Sequence, residues 1–378
     1  MTQVSTSATK FYTLLISLII TGLMTACSQQ VDTIAPISKA DEYTASARLD
    51  NITVDSSASL KSVATFPIGN IISNDVRDGG AAIQGIVANE FNSITVGTFM
   101  SLQPSKGKFD FSASDKRVKM AQTLGRRLHG HCLVYVGGAP SWLLNFKGSS
   151  DEFEAIVKNH IQTVVGHYKG QITSWDVTNE AIERKDGTVK QTQFRKLFSS
   201  DEAYINFIKK CFVWAHEADP SAKLFYNDWG YEQFQPMLPA LRKMLAEFKR
   251  SGTPIDGLGT QMHITINTKD EGIRSALQEL SATGLQVHMS ELDIAINPNN
   301  DKNLVVTDQL LKVQALKFQS VAAAYKQLVP ANQKFGITVW GLADTAVEST
   351  GLNQMRVLLN TEYKKKPAYY GFMSGLRN

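Results

Sequence analysis

From Phe66 onward the chain alternates short apolar runs, rich in Val, Ile and Phe, with longer stretches of helical periodicity. The short runs fall near 66–72, 93–99, 128–136, 172–179, 222–227, 257–264, 285–294 and 336–342. Each has the length of a strand, and most intervals leave room for a crossover helix. The clearest helix spans 151–169, where Phe153, Ile156, Val157, His160, Ile161, Val164, Val165 and Tyr168 share one face. Ser150 or Asp151 is placed to cap it and Gly170 to end it. His160 lies on the apolar face and reads as packing rather than as a ligand. Further helices run from about 201 to 217, before Asp219-Pro220, and from about 306 to 328, before Pro330. Strands alternating with helices predict a parallel sheet, and eight strands are the count that closes a (β/α)8 TIM barrel. An open doubly wound sheet is the alternative. No Gly-x-Gly-x-x-Gly follows an early strand, which weakens any nucleotide-binding version of it.

In a barrel of this kind chemistry sits at the C-terminal strand ends. Two of the runs end on a glutamate: Trp175-Asp176-Val177-Thr178-Asn179-Glu180 and Ser290-Glu291-Leu292-Asp293-Ile294. A pair of carboxylates facing one ligand is the minimum equipment for breaking a glycosidic bond, one as proton donor and one as nucleophile or base. Other polar groups fall at strand ends too: His131, Asn179, Asn227 with Asp228, Gln261 with His263, Asp293, and Trp340. Six strands would then aim functional groups at one rim. No His or Cys cluster has metal-ligand spacing, and no metal or organic cofactor is expected.

These residues resemble glycoside hydrolase family 10, typified by retaining endo-β-1,4-xylanases, over about 61–378. The landmarks are Phe66-Pro67-Ile68-Gly69, Glu90-Phe91-Asn92-Ser93-Ile94-Thr95, Lys106-Gly107-Lys108-Phe109-Asp110-Phe111, and Gly130 to Tyr135 with Pro140-Ser141-Trp142. The stretch ending at Glu180 is similar to the family's acid/base motif, and Glu291-Leu292-Asp293 to its nucleophile motif. Their separation of 111 residues suits the fourth and seventh strands. The resemblance implies a single catalytic barrel with Glu180 as acid then base, Glu291 as nucleophile, and Asn179 on the sugar 2-hydroxyl. It further implies that His263 bridges Glu291 and Asp293, that Gln261 orients one glutamate, and that Trp340 floors the pocket. Glu180 must hold its proton at rest, so its carboxyl is expected to be raised by the negative charge of Glu291.

The sequence departs from the family pattern in one place above all. Where the family carries Glu-Asn-Glu-Met-Lys after the second strand, this chain has Gly97, Thr98, Phe99, Met100 and Ser101. Where it carries Trp-His-Ser-Gln after the third, this chain has Tyr135, Val136, Gly137 and Gly138. A tryptophan expected beyond Asp344 is replaced by Glu348. Contacts to the sugars on the non-reducing side are therefore lost. The glycines suggest a wider pocket, suited to a decorated or bent β-glycan rather than plain xylan. Tyr135 retains part of a stacking surface, and Trp229 is placed to stack a sugar on the leaving-group side. Trp142, Trp175 and His129 read as packing, and Asp176 as barrel support. Non-catalytic glycan binding on the same scaffold is the competing function, though binding alone needs neither acid nor nucleophile. Transglycosylation would use the same site.

Before the barrel, Lys10 precedes a 14-residue apolar run, Phe11 to Met24, followed by Thr25, Ala26 and Cys27. That run is short for a membrane span. The segment reads as a lipoprotein signal peptide over 1–26, with Cys27 the lipidated residue and 27–60 a Ser/Thr-rich tether. A bacterial cell envelope location through this lipid anchor is expected, with plain secretion as the alternative. Cys132 and Cys211 read as buried free thiols. The net charge of +4 on 378 residues is small. The run Lys364 to Lys366 reads as a solvated helix start, and no nucleic-acid partner is expected. The partners expected are a polysaccharide and, through the anchor, a membrane; the protein is expected to be a monomer.

Overall fold

The computed structural model describes residues 57–345 and 351–377. Nine strands form in chain order: β1 Ile68–Ile71, β2 Ser93–Gly97, β3 Arg127–Val134, β4 Ser174–Asn179, β5 Lys223–Asp228, β6 Gly257–Thr260, β7 His263–Thr265, β8 Gln286–Ala295 and β9 Lys334–Val339. Every pairing is parallel. The strands run in the order β6-β5-β4-β3-β2-β1-β9-β8, and β6 pairs with β8, so the sheet closes and the open doubly wound alternative is excluded. The barrel itself has eight positions, as expected.

The ninth strand arises because the run at 257–264 is broken. β6 ends at Thr260, Met262 takes φ +60°, and the chain resumes as β7. β8, ten residues long, pairs with β6 through its first half and with β7 through its second. The break sets His263 directly across from Asp293.

The crossover helices follow the apolar stripes. The first expected helix is Ser150–His167, and its cap is Ser149, one residue earlier than expected. Ser149 and Glu152 exchange hydrogen bonds in a capping box. Helices Asp201–Ala218 and Asp308–Leu328 begin at the side-chain caps Ser200 and Thr307. His160 is buried and stacks near Phe109. Trp175 is fully buried, and Gly130 beside it leaves room for its ring: a Cβ there would come within 2.2 Å of the indole. Trp142 packs against the core and donates its indole N–H to the Gln103 carbonyl. Cys132 and Cys211 are both buried and unbridged.

The basic run is not the solvated helix start that its charge suggests. Lys364 is exposed, but Lys365 pairs with Glu90 (3.1 Å) and Lys366 is buried against Asp344 (2.7 Å). The same Glu90 accepts from the Leu60 N–H and the Tyr369 hydroxyl. One buried carboxylate thus ties the first described helix, Leu60–Val63, to the last, Pro367–Arg377. In the last helix Gly371 and Gly375 lie over the carbonyls of Ala315 and Gln319, too close for any Cβ. The signal segment and Cys27 lie outside the described residues, as does Glu348.

Candidate active site

The strand register assembles the site. Asn179 at the end of β4 is paired in register with Asn227 on β5, and Gly259 on β6 follows. A Cβ at Gly259 would fall 2.0 Å from Asn227 Oδ1, so only glycine leaves the asparagine its position. Asn227 Nδ2 donates to Asn179 Oδ1 (2.9 Å) and to Glu291 Oε1 (2.7 Å), while Ser290 Oγ donates to its carbonyl oxygen (2.7 Å). Gln261, whose backbone is held between Asp228 and Glu291, donates from its side chain to Asn179 Oδ1 (3.2 Å) and to Glu180 Oε1 (3.3 Å). The two glutamates are therefore joined through Asn227, Asn179 and Gln261. The Gln261 side chain reaches Glu180, while its backbone carbonyl accepts from the Glu291 N–H.

On the far side of Glu291, His263 Nε2 stands 3.1 Å from Oε2, and its Nδ1 stands 2.8 Å from Asp293 Oδ2. Arg356 Nη1 donates to the other Asp293 oxygen. Burial works against the charged imidazole, but Asp293 and Glu291 outweigh it and push His263 up to about 10. At neutral pH this side chain is an imidazolium, a fixed positive charge against the Glu291 carboxylate. His131 enters from β3, with Nδ1 2.8 Å from Asp176 Oδ2 and Nε2 3.8 Å from Glu291 Oε1. It too is raised, burial being overcome by Glu291 and Asp176. His129 Nε2 lies 3.0 Å from the same Asp176 oxygen, while its Nδ1 is hydrogen-bonded to Ser174 Oγ (2.9 Å). Trp340 follows β9 and meets His131 and His263 edge to face. All nine candidate residues of the barrel thus meet at one rim. Among the described residues, no three His, Cys, Asp or Glu side chains are placed to hold a metal ion.

Glu180 adopts φ +56°, a left-handed conformation uncommon for a residue with a Cβ. Its N–H donates to the Asn227 carbonyl and the next N–H to the Tyr226 hydroxyl, and these bonds hold the turn. The expectation of a raised carboxyl is not met. Burial raises Glu180, but the Lys190 ammonium, 2.9 Å from Oε2, with Gln261 and Tyr135, brings it below the ordinary value. Lys190 was not among the residues that the sequence singled out. Ten residues beyond Glu180, it returns through a small hairpin in which Ile182 bridges Val189 and the Lys190 N–H donates to Ala181. The Asp186-Gly187 turn, with Gly187 at φ +71°, was the available signal.

The altered stretch after β2 and β3 does not widen the pocket. The space left by its glycines is filled. A Cβ on Gly138 would meet the Phe99 ring at 2.6 Å, one on Gly97 at 3.1 Å, and one on Gly137 would meet the Tyr135 ring at 2.5 Å. Phe99 in turn meets His131 edge to face, at 5.5 Å between centroids. The glycines are what lets two aromatic rings lie flat along this wall. Thr98 is fully buried with its hydroxyl unpartnered, and Ser101 is exposed. Asn227 serves no turn, and both of its amide groups are committed to the carboxylate network.

A closed parallel barrel with two glutamates presented from its fourth and seventh positions, joined by amides and flanked by an imidazolium, defines a site of the two-carboxylate glycosidase type. The comparisons agree: the model of glycosyl hydrolase family 10 matches residues 57–375, and the chain belongs to that family. It is similar to endo-β-1,4-xylanase Xyn10C of Cellvibrio japonicus, 32% identical over 340 residues, covering 82% of this chain and 56% of the relative. It is also similar to an endo-1,4-β-xylanase of Geobacillus stearothermophilus, 31% identical, covering 79% of this chain and 96% of the relative. Among solved structures, a mutant of the Cellvibrio japonicus xylanase in complex with xylopentaose superposes with a TM-score of 0.77 at 31% identity, covering 85% of this chain and 69% of that one. The chain spans 56% or less of the length of the first curated relatives that it matches.

Proposed function

We propose that this chain hydrolyses β-glycosidic bonds within xylan or a xylan-like polysaccharide, with retention of configuration. The observation that carries this reading is the amide-linked pair Glu180 and Glu291 on strand ends that face one mouth. Glu291, held by Asn227 and His263, attacks the anomeric carbon, and Glu180 delivers a proton to the leaving oxygen. Once the covalent intermediate has removed the charge of Glu291, Glu180 accepts a proton from water. For the first step Glu180 must be protonated, so the Lys190 contact has to loosen when sugar binds. The named xylanase relatives and the xylopentaose complex support xylan as the parent substrate.

The substrate is further proposed to differ from plain xylan on the non-reducing side, because polar groups there give way to the rings of Phe99 and Tyr135. The experiment is product release from linear and decorated xylo-oligosaccharides by wild type and Glu291→Ala, with the anomer of the first product read by NMR. Cleavage lost in the variant and a retained anomer are expected. Saturable binding without cleavage on any member of the panel would instead establish a glycan-binding protein. We also propose, from Lys10, the apolar run 11–24 and Cys27, that the protein is a lipid-anchored monomer of the bacterial envelope. Partition of wild type into detergent, but not of Cys27→Ala, with a monomer mass for the soluble variant, is the expected result.

A further inference from the structure

The hairpin that brings Lys190 back to Glu180 also carries Arg184, four residues past the acid. Its guanidinium carbon lies 3.4 Å from the centroid of the Trp229 ring and 5.2 Å from that of Phe234. Trp229 directly follows Asp228, the last residue of β5. This is the strand next to the one that carries Glu180, and β4 separates it from β3, which leads into Tyr135. One face of Trp229, expected to stack a sugar, is therefore already occupied by a cation. The arrangement needs space at Gly230, which has φ +87° and where a Cβ would fall 2.7 Å from Phe234 and 3.3 Å from the Arg184 side chain.

Three nearby cations are spent on carboxylates: Lys190 on Glu180, Arg195 on Asp201, Arg356 on Asp293. Arg184 has no hydrogen bond or ion pair among the described residues and is only partly exposed. A guanidinium laid on an aromatic face keeps its N–H edge free, and that edge matches the two oxygens of a carboxylate. Stacking also fixes the group in advance, so little freedom is lost when it binds. Neutral xylose hydroxyls do not call for a fixed positive charge here. We propose that Arg184 on Trp229 forms a subsite, on the leaving-group side of the cleft, for a carboxylate-bearing sugar: a uronic acid substituent on the xylan chain. This inference rests on the hydrolase reading for its substrate class and names the decoration that the cleft selects.

The test uses equilibrium binding to the full chain in a Glu291→Gln background, with two probes, linear xylohexaose and a xylo-oligosaccharide bearing one glucuronic acid. The acidic probe is expected to bind about tenfold more tightly. Arg184→Gln should abolish that advantage, Arg184→Lys should leave an intermediate one, and the advantage should shrink as salt rises. Equal loss for both probes in Arg184→Gln would show a packing role and overturn the proposal, as would an advantage that survives the substitution. Binding of neither probe would overturn it together with the xylan reading. Cleavage of both probes by wild type is measured separately. Its failure would sink the hydrolase reading while the ratio of affinities still decides the subsite.

Discussion

Between Glu180 and Glu291 the barrel mouth is a continuous run of hydrogen bonds, whereas along the ends of β2 and β3 it is a run of ring contacts. On the first side each group has one place. Asn227 spends both amide hydrogens and its oxygen, and His263 spends both nitrogens. Moving one member strands the others in a buried setting, which costs about 1–3 kcal/mol per unpaired group. On the second side Phe99 and Tyr135 lie on glycines, and the contact of Phe99 is non-directional, although Tyr135 also reaches Glu180. Such a surface can exchange one ring for another at the cost of local repacking, without stranding a buried polar partner. The difference explains how one rim can keep its chemistry and exchange its sugar contacts.

The contrast breaks most visibly at the nucleophile. Glu291→Ala should lower kcat/KM by more than about 10^4-fold, since no other group can form the covalent intermediate. Phe99→Ala should leave turnover in place and alter the ranking of substrates in the same panel. If Phe99→Ala were as damaging as Glu291→Ala, the division into a chemical side and a recognition side would be wrong.

His263 tests whether the polar side works as a unit. Replacing it with Gln removes the charge between Glu291 and Asp293, and we expect kcat to fall by about 10^2-fold or more with little change in KM. The same residue has a signature in stability. Its folded value is raised from 6.5 to about 10, so its contribution is fully present below about pH 6.5 and is lost as pH rises through about 10. Thermal unfolding of wild type should weaken across that window, and His263→Gln should weaken less. Parallel curves for the two proteins would show that the imidazolium charge adds nothing to folding.

Lys190 sharpens the comparison more gently. It holds Glu180 below the ordinary carboxylate range in the free site, yet the acid must be protonated to act. Lys190→Met removes the largest lowering influence, so the alkaline limb of the kcat/KM profile should move upward, with less than about a tenfold change at the optimum. A limb that stays in place would mean that Lys190 does not govern the proton of Glu180.

Much of this was legible before any coordinates. Strand count, helix faces and both glutamates follow from periodicity and from residues at strand ends, signals that lie within a few positions of one another. The bridge of His263 to Asp293 needed the break at Gln261-Met262, which the apolar run at 257–264 conceals. Lys190 depended on a hairpin that closes over ten residues, and Lys366 on a carboxylate at Asp344 that no local pattern pairs with it. The glycines of the recognition wall misled in a simpler way. Small residues suggest empty space, but a neighbouring ring can occupy what a side chain vacates, and sequence spacing does not say which ring will turn inward.

That last point gives the smallest and cleanest test. Gly138→Ala adds one methyl where a Cβ would sit 2.6 Å from Phe99. The ring must shift, and overpacking of this kind costs about 1–3 kcal/mol, here at the low end because Phe99 is partly exposed. Phe99→Ala removes the obstacle, so the double variant should be less destabilised than the sum of the singles, by about 0.5–1 kcal/mol in denaturant unfolding. Substrate ranking should follow the same coupling, with Gly138→Ala altering it in wild type and having little further effect once Phe99 is gone. Additive energies would place the phenyl ring away from Gly138, and the wall would then be the open pocket that its glycines suggest.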